Sequence, residues 1–437
     1  MYNIFAKFLQ ATKEKVKPTM NTLTIINLIF GALTVICFGY QWILAFLPLV
    51  KKQKKYPDAP PKKYAVLISA RNEKNVIGHL LDSLNKQDYP ADMLDVFVVA
   101  DNCTDNTADI ARSMGARVLE RQNDVLKGKG FALNDLVHYI WDTVGKGVYY
   151  GYLVFDADNV VRKDFIKEIN KAMSNGNRIA IGYRNYKSKM SNWISYCYNM
   201  FWLRESVQLN RGRNTVGASA YVTGTGYCMT EDILLADGGF KATTLTEDCE
   251  LTLRWITRGE KIAYCNDAMF YDEQPSKFRA SFKQRARWVR GSLQCYLKYA
   301  FRLFKGCFRK STVASCLDQL AYMFIPIGFG IISFILNIAF GIPMFLNNQL
   351  NIGTLLISAG IGLGVAIVYT MLLPLSTIIT ERKNIKDPIW KCVFYSVFYP
   401  IFMVTYIPII VYAIFFKVGW APIKHTETLS IDEIERQ

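Results

Sequence analysis

Tyr149-Tyr150-Gly151-Tyr152-Leu153-Val154-Phe155-Asp156-Ala157-Asp158 decides the fold, because an apolar run of strand length stops at two carboxylates. An uninterrupted apolar strand is one buried on both faces, as in a parallel sheet covered by helices. Similar runs occupy residues 64–69 and 95–100, with a shorter one at 116–119. Helical patterns at 75–87, 104–114 and 131–141 fall between them. Such alternation predicts an α/β domain built on a doubly wound, mostly parallel sheet. Ligands of these sheets lie beyond the carboxyl ends of the strands. Asn72 and Glu73, Asp101, and Asp156 with Asp158 each follow a strand end, so they should converge on one crevice.

Apolar blocks stand at both ends of the 437-residue chain, at 22–50, 317–345, 352–379 and 393–416. Each is long enough for a bilayer crossing, which needs ~20 apolar residues. The first lacks the early basic region and small-residue cleavage site of a signal peptide. Pro400 and Pro408 interrupt the last and favour a bent, interfacial or re-entrant path. The reading is an amphipathic lead at 1–21, a transmembrane helix at 22–50 and a basic Pro-containing linker at 51–63. A catalytic domain at 64–275 follows, then amphipathic interface helices at 276–312, a transmembrane or interfacial region at 313–417 and a tail at 418–437. Lys51, Lys52, Lys54, Lys55, Lys62 and Lys63 follow the first block. By the positive-inside bias they put the catalytic domain in the cytoplasm of a multi-pass cell-membrane protein.

The formal charge of +16 is therefore read as attraction to the lipid bilayer and to an anionic donor. No nucleic-acid fold signature accompanies it, and nucleic acid is excluded as a partner. Ten cysteines without a CxxC pair and three histidines argue against disulfides and zinc.

Asp156 and Asp158 flank one small residue, so both carboxylates can face one pocket. Hard oxygen ligands in that arrangement suit Mg²⁺ or Mn²⁺ bridging to a diphosphate, although a solvated acidic turn reads the same way. Asp101 opens Asp-Asn-Cys-Thr-Asp, which also fits a helix cap. Lys127-Gly128-Lys129-Gly130 precedes a helix and offers charge and backbone to a phosphate, or is a flexible basic loop. It is not a Walker loop, which disfavours a nucleotide triphosphatase. In Thr246-Glu247-Asp248 the threonine and first acid could cap the pattern at 249–258. A carboxylate there could also take the proton from an acceptor hydroxyl in an inverting sugar transfer. Gln284, Arg287 and Trp288 share one helical face at i, i+3, i+4. The arginine suits a diphosphate and the indole a sugar ring, whereas Arg285, Arg290, Lys298 and Lys305 suit a helix at the lipid surface.

These motifs, in this order, resemble the membrane-integrated family-2 glycosyltransferases, the group of cellulose, hyaluronan, chitin and poly-N-acetylglucosamine synthases. The resemblance runs from about residue 60 to 425 and rests on QxxRW following DxD and TED. It implies a GT-A-type domain embedded with interface helices and a transmembrane helix bundle. It also implies that Glu73, Asp101 and Lys129 bind the uridine and phosphate end of a UDP-sugar, while Asp156 and Asp158 hold donor and metal. Asp248, with Glu247 beside it, would be catalytic as the base, and Gln284, Arg287 and Trp288 would close the site. Gly224, Thr225 and Gly226 would line the acceptor terminus together with Trp288. Trp420-Ala421-Pro422-Ile423 resembles the short cytoplasmic tail segment of these synthases. Ser69-Ala70-Arg71-Asn72-Glu73 departs from the family's proline-led version, one span precedes the domain where several relatives have two, and no cyclic-dinucleotide-binding RxxxR domain follows.

The expected activity is processive polymerisation of a β-linked glycan coupled to export, with the growing glycan as acceptor. UDP-glucose is the favoured donor and UDP-N-acetylglucosamine the next. A single-addition transferase acting on a lipid-linked or membrane acceptor is the alternative enzyme. A membrane scaffold or transporter is disfavoured by the full set of acids and by spans almost free of ionisable residues, with Asp318 the only acid near them.

Overall fold

A computed structural model describes residues 20–51, 53–347, 352–419, 425 and 427–436. The tail motif at 420–423 and most of the amphipathic lead lie outside the described residues. Two compact units partition the chain: residues 1–42 with 318–368, and residues 43–317 with 369–437.

The second unit holds an eight-stranded sheet of order β3-β2-β1-β4-β7-β6-β8-β5. Its first half is β1 (Tyr64–Ala70), β2 (Leu94–Asp101), β3 (Arg117–Arg121) and β4 (Gly151–Asp156), all parallel. Helices α2 (Ile77–Asn85), α3 (Thr107–Ser113) and α4 (Lys129–Thr143) connect them. The core contains Val66, Ile68, Leu153 and Phe155 without solvent exposure, which explains why these strands carry no polar alternation.

The other half keeps the sheet mostly parallel, as expected, but adds the two reversed strands β5 and β7. β6 (Ile179–Tyr186) is parallel to β8 (Ile262–Asp272), but β7 (Tyr227–Thr230) runs antiparallel to both β4 and β6, and β5 (Val160–Val161) antiparallel to β8. The cause is the connection. After β6 the chain leaves through α6 (Trp193–Trp202), a π-helical turn at Leu203–Gln208 and α7 (Leu209–Val216). It re-enters at the carboxyl end of β4, where Val154 pairs with Tyr227, and must then run backwards. Helix α5 (Phe165–Ser174) buries Phe165, Ile166 and Ile169 against this half. Helices α8 (Glu231–Asp237), α9 (Glu247–Arg258) and the long α10 (Phe278–Gly306) complete the domain.

The first apolar block forms α1 (Met20–Val50). The second is α11 (Val313–Gln319), a π-helical turn and α12 (Ile325–Leu346), and the third is α13 (Ile352–Glu381). Among the described residues two helices, Ile25–Val50 and Gly362–Glu381, are long and apolar enough to cross a membrane. The fourth block is a helix pair bent by 46° between α14 (Ile389–Ser396) and Tyr399–Phe415, the latter being α15 (Tyr399–Val404) and α16 (Tyr406–Phe415). A short α17 (Ile431–Glu435) ends the chain's described part.

Candidate active site

Parallel register places Ser69 beside Asp156 and Ala70 beside Ala100, so β1, β2 and β4 end on one edge. A cavity there brings Glu73, Asp101, Lys129, Asp156 and Asp158 together with Gly224, Glu247, Asp248, Gln284, Arg287 and Trp288. Two residues expected at the acceptor end are not among its lining. Thr225 is fully buried behind the wall, where its hydroxyl accepts the Asp156 N–H at 2.9 Å and meets Asn159. Gly226 has φ 67°, and a Cβ there would fall 2.1 Å from the Phe270 ring. Both shape the loop that presents Gly224 rather than touching the cavity.

Lys129, first residue of α4, pairs with Asp156 and donates to the Gly224 carbonyl at 2.7 Å. Burial would lower its pKa, but Asp156 and Glu247 outweigh that and raise it. Asp101 is already neutralised, because Arg121 of β3 donates to its Oδ1 at 2.6 Å. Asp101 makes no cap: the N-cap position of α3 is Asn106, without a side-chain cap hydrogen bond, and Asp105 Oδ1 just before it accepts the Thr107 N–H at 3.1 Å. Asn72 and Asn102 follow β1 and β2 in left-handed conformation, φ 59° and 52°. Each anchors a neighbouring loop by its amide oxygen, Asn72 accepting the Thr104 N–H at 2.8 Å and Asn102 the Asn123 N–H at 2.9 Å.

Asp158 is almost fully buried, which raises its carboxyl. His425 faces it with Nε2 3.6 Å from Oδ2, and its Nδ1 lies 2.9 Å from Glu73 Oε1. Burial opposes an imidazolium, yet Asp158 and Glu73 push the histidine up to about 10.

On the far wall, α9 opens with Glu247 and Asp248. Thr246 makes no side-chain cap, contrary to the capping reading, and its hydroxyl instead lies 3.6 Å from Cys295 Sγ. Asp248 Oδ1 accepts the Cys249 N–H at 2.8 Å. Burial raises its carboxyl, against the pull of that N–H, Arg287 and Lys129. Burial and then Asp248 push Glu247 up to about 7. Arg287 donates to the Leu245 carbonyl at 3.3 Å. The Trp288 ring stacks on Phe201 at 6.3 Å and 13°, with Trp202 edge-on at 5.2 Å.

Arg184, Trp202, Asp272 and His425 also line the cavity and were missed. The Arg184 guanidinium lies 3.8 Å over the Trp202 ring, donates to the Thr223 carbonyl at 2.7 Å and pairs with Asp272. Burial, offset by Arg184, pushes Asp272 up to about 6. A signal existed for Asp272, which ends a largely apolar run at 262–272.

No cluster of three or more His, Cys, Asp or Glu among the described residues could hold a metal ion by itself. Mg²⁺ is usually held by one or two carboxylates plus substrate phosphates. Asp156 and Asp158 fit that role: both line the cavity, and the side chains of Lys129 and His425 face them.

Residues 60–291 match the model of the glycosyltransferase-like family 2. A probable glycosyltransferase of Bacillus subtilis, YdaM, is 25% identical over 333 residues, 72% of this chain and 74% of that protein. The beta-monoglucosyldiacylglycerol synthase of Synechocystis is 28% identical over 253 residues, 55% of this chain and 50% of that protein, so this chain's match spans about half the length of that relative. A solved mannosyltransferase from Pyrobaculum calidifontis, in complex with GDP-Man and Mn²⁺, superposes with a TM-score of 0.55 at 18% identity, covering 83% of this chain and 99% of that one.

Proposed function

The chain belongs to the glycosyltransferase-like family 2 and is an enzyme of sugar transfer, and on that premise we propose an inverting hexosyltransferase that moves glucose from UDP-glucose to a hydroxyl of a membrane lipid. The observation that carries the chemistry is the meeting of Asp156 and Asp158 with Asp248 in one cavity. Glu73, Asp101 and Lys129 bind the nucleotide and its phosphates. A divalent cation, Mg²⁺ or Mn²⁺, held by Asp156 and Asp158 would neutralise the leaving diphosphate. The acceptor oxygen attacks the anomeric carbon as the bond to the diphosphate breaks, and its proton passes to Asp248. Arg287 and Lys129 lie beside the charge that develops, and Trp288 with Trp202 forms an aromatic wall for the acceptor.

The lipid acceptor is favoured by the similarity to a monoglucosyldiacylglycerol synthase. The aromatic wall favours a second reading, processive β-glycan synthesis with export, because stacked rings also hold a sugar terminus. Incubation of the purified chain in lipid nanodiscs with labelled UDP-sugars separates the two. A chloroform-soluble monoglycosylated product supports the first reading, and an insoluble product cleaved by β-glucanase would replace it with the second.

A further inference from the structure

We infer that Asp272 is a positioning residue for sugar transfer: it binds neither metal nor sugar, and it aligns the donor acids with the aromatic wall, acting through Asn159 on one side and Arg184 on the other. The inference rests on the sugar-transfer reading of the site and adds the group that holds its two walls in register. Asp272 closes β8 at the edge of the cavity and is 3% exposed. Four N–H bonds meet its carboxylate. Asn159 Nδ2 donates to Oδ1 at 2.9 Å, Arg184 donates to Oδ2 through Nε at 3.0 Å and also through Nη2, and Gln274 Nε2 donates to Oδ2 at 2.6 Å. A carboxylate has roughly four lone pairs to offer. The protein itself therefore takes up what Asp272 could give a ligand.

One arm of the network runs to the donor acids. A carboxylate paired with arginine only accepts, so it turns the Asn159 amide with its NH₂ towards Asp272 and its oxygen towards the turn that carries Asp156 and Asp158. There Asn159 Oδ1 accepts the Asp156 N–H at 3.1 Å and the Thr225 hydroxyl, and Thr225 Oγ1 accepts the same N–H at 2.9 Å. Asn159 and Thr225 are fully buried. The other arm runs to the acceptor side. Arg184 donates to the Thr223 carbonyl, one residue before Gly224, and its guanidinium covers the Trp202 ring that meets Trp288 edge-on. A single carboxylate joins both arms. In so buried a network a donor forced against a donor costs more than the bond that is lost, so an amide at position 272 loosens both walls together.

The test uses the full chain in lipid nanodiscs. Asp272→Asn strands the buried Arg184 cation and puts folding at risk, so the double variant R184Q, D272N, which leaves neither charge unpaired, is measured beside it. Both should lose about tenfold or more in kcat with UDP-glucose, the size of effect seen when a group that orients a metal ligand is removed. Calorimetry separates misalignment from a general loss of stability. Affinity for UDP alone should stay within about twofold, while the gain in UDP affinity on adding Mn²⁺ falls about fivefold or more. In the metal-free chain the Asp156 amide should exchange hydrogen about tenfold faster, with Val154 of the same strand unchanged. Unaltered kcat, Mn²⁺ gain and Asp156 protection in the double variant would overturn the inference. So would an equal loss of UDP affinity with and without Mn²⁺, or failure of both variants to fold, since either makes the pair a part of the core and no aligning device. Absence of transfer by the unaltered chain, with the Mn²⁺ gain and Asp156 exchange still answering to position 272, would instead refute the sugar-transfer reading and leave Asp272 as the group that positions Asp156.

Discussion

Asp248 and Glu247 are adjacent acids with different burdens. Asp248 has Gly224 close to its Oδ2 and a backbone N–H on its Oδ1, while Glu247 is pushed up to about 7. Asp248→Asn keeps the shape and removes proton acceptance, so kcat should fall about 10²-fold or more with UDP affinity unchanged, as isothermal titration can check. Near-normal turnover would return Asp248 to a structural role. For Glu247 the folded value lies above the ordinary 4.5. Its contribution to stability is therefore full below that ordinary value and is lost as pH rises through about 7. Glu247→Gln should flatten the decline of thermal stability between about pH 5 and 8, which melting curves across that range can check; an unchanged decline would remove Glu247 as its source. Metal dependence is a third expectation: EDTA should abolish transfer, Mg²⁺ or Mn²⁺ should restore it, and full activity in chelator after dialysis would exclude the assignment to Asp156 and Asp158. The strand-end acids were legible because a carboxylate closing an apolar run has few structural reasons to be there. His425 was not, since nothing local ties it to Glu73, which is 352 positions earlier in the chain.

Elements were legible where burial on both faces made their sequence monotonous. β1, β2 and β4 read directly, and their helices differ from the expected spans by a few residues. β6 escaped because Ile179–Tyr186 carries Arg184 and Asn185, which look like loop until Asp272 and the Thr223 carbonyl meet Arg184 and the Asn384 carbonyl meets Asn185. β7 is four residues long and antiparallel, and its direction is set by the excursion through α6 and α7, beyond the reach of any local pattern. The contact between α9 and α10 is the element-scale feature with the sharpest consequence. At Gly291 a Cβ would lie 2.5 Å from Thr246 Oγ1 and 2.8 Å from its backbone nitrogen. Backbone cannot yield as a flexible side chain would. Gly291→Val should therefore push Gln284, Arg287 and Trp288 away from Asp248 and cost about 1–3 kcal/mol of stability. Chemical denaturation and kcat together check this: a stable, fully active variant would show that the two helices need not touch so closely.

Over the whole molecule, the bent segment decides where the tail lies. Were the catalytic domain cytoplasmic, as the positive-inside bias predicts from the charge after the first apolar block, residues 317–345 and 352–379 would leave and return if both cross. A straight crossing by 393–416 would then carry everything after it outside. Within the second unit the arrangement favours the opposite. Arg285 donates to the Phe402 carbonyl at 3.0 Å and the Thr405 hydroxyl at 2.8 Å, near the interruption, so polar groups freed by the broken helix are met by a cation of α10. Arg290 does the same for the Ala413 carbonyl at 3.2 Å. Beyond the break, Glu427 N–H donates to Glu273 at 3.1 Å, Lys86 pairs with Asp432 at 2.9 Å, and Lys386 donates to the Ile434 carbonyl at 3.0 Å. Ile431 and Ile434 are buried. A tail docked on the catalytic domain would share its side of any bilayer, and the bent pair would then have to enter and return on one face. A C-terminal tag should accordingly resist protease in intact cells and be cleaved after permeabilisation. Cleavage in intact cells would require a true crossing and would break the docking of residues 425 and 427–436 on the domain that holds Glu73.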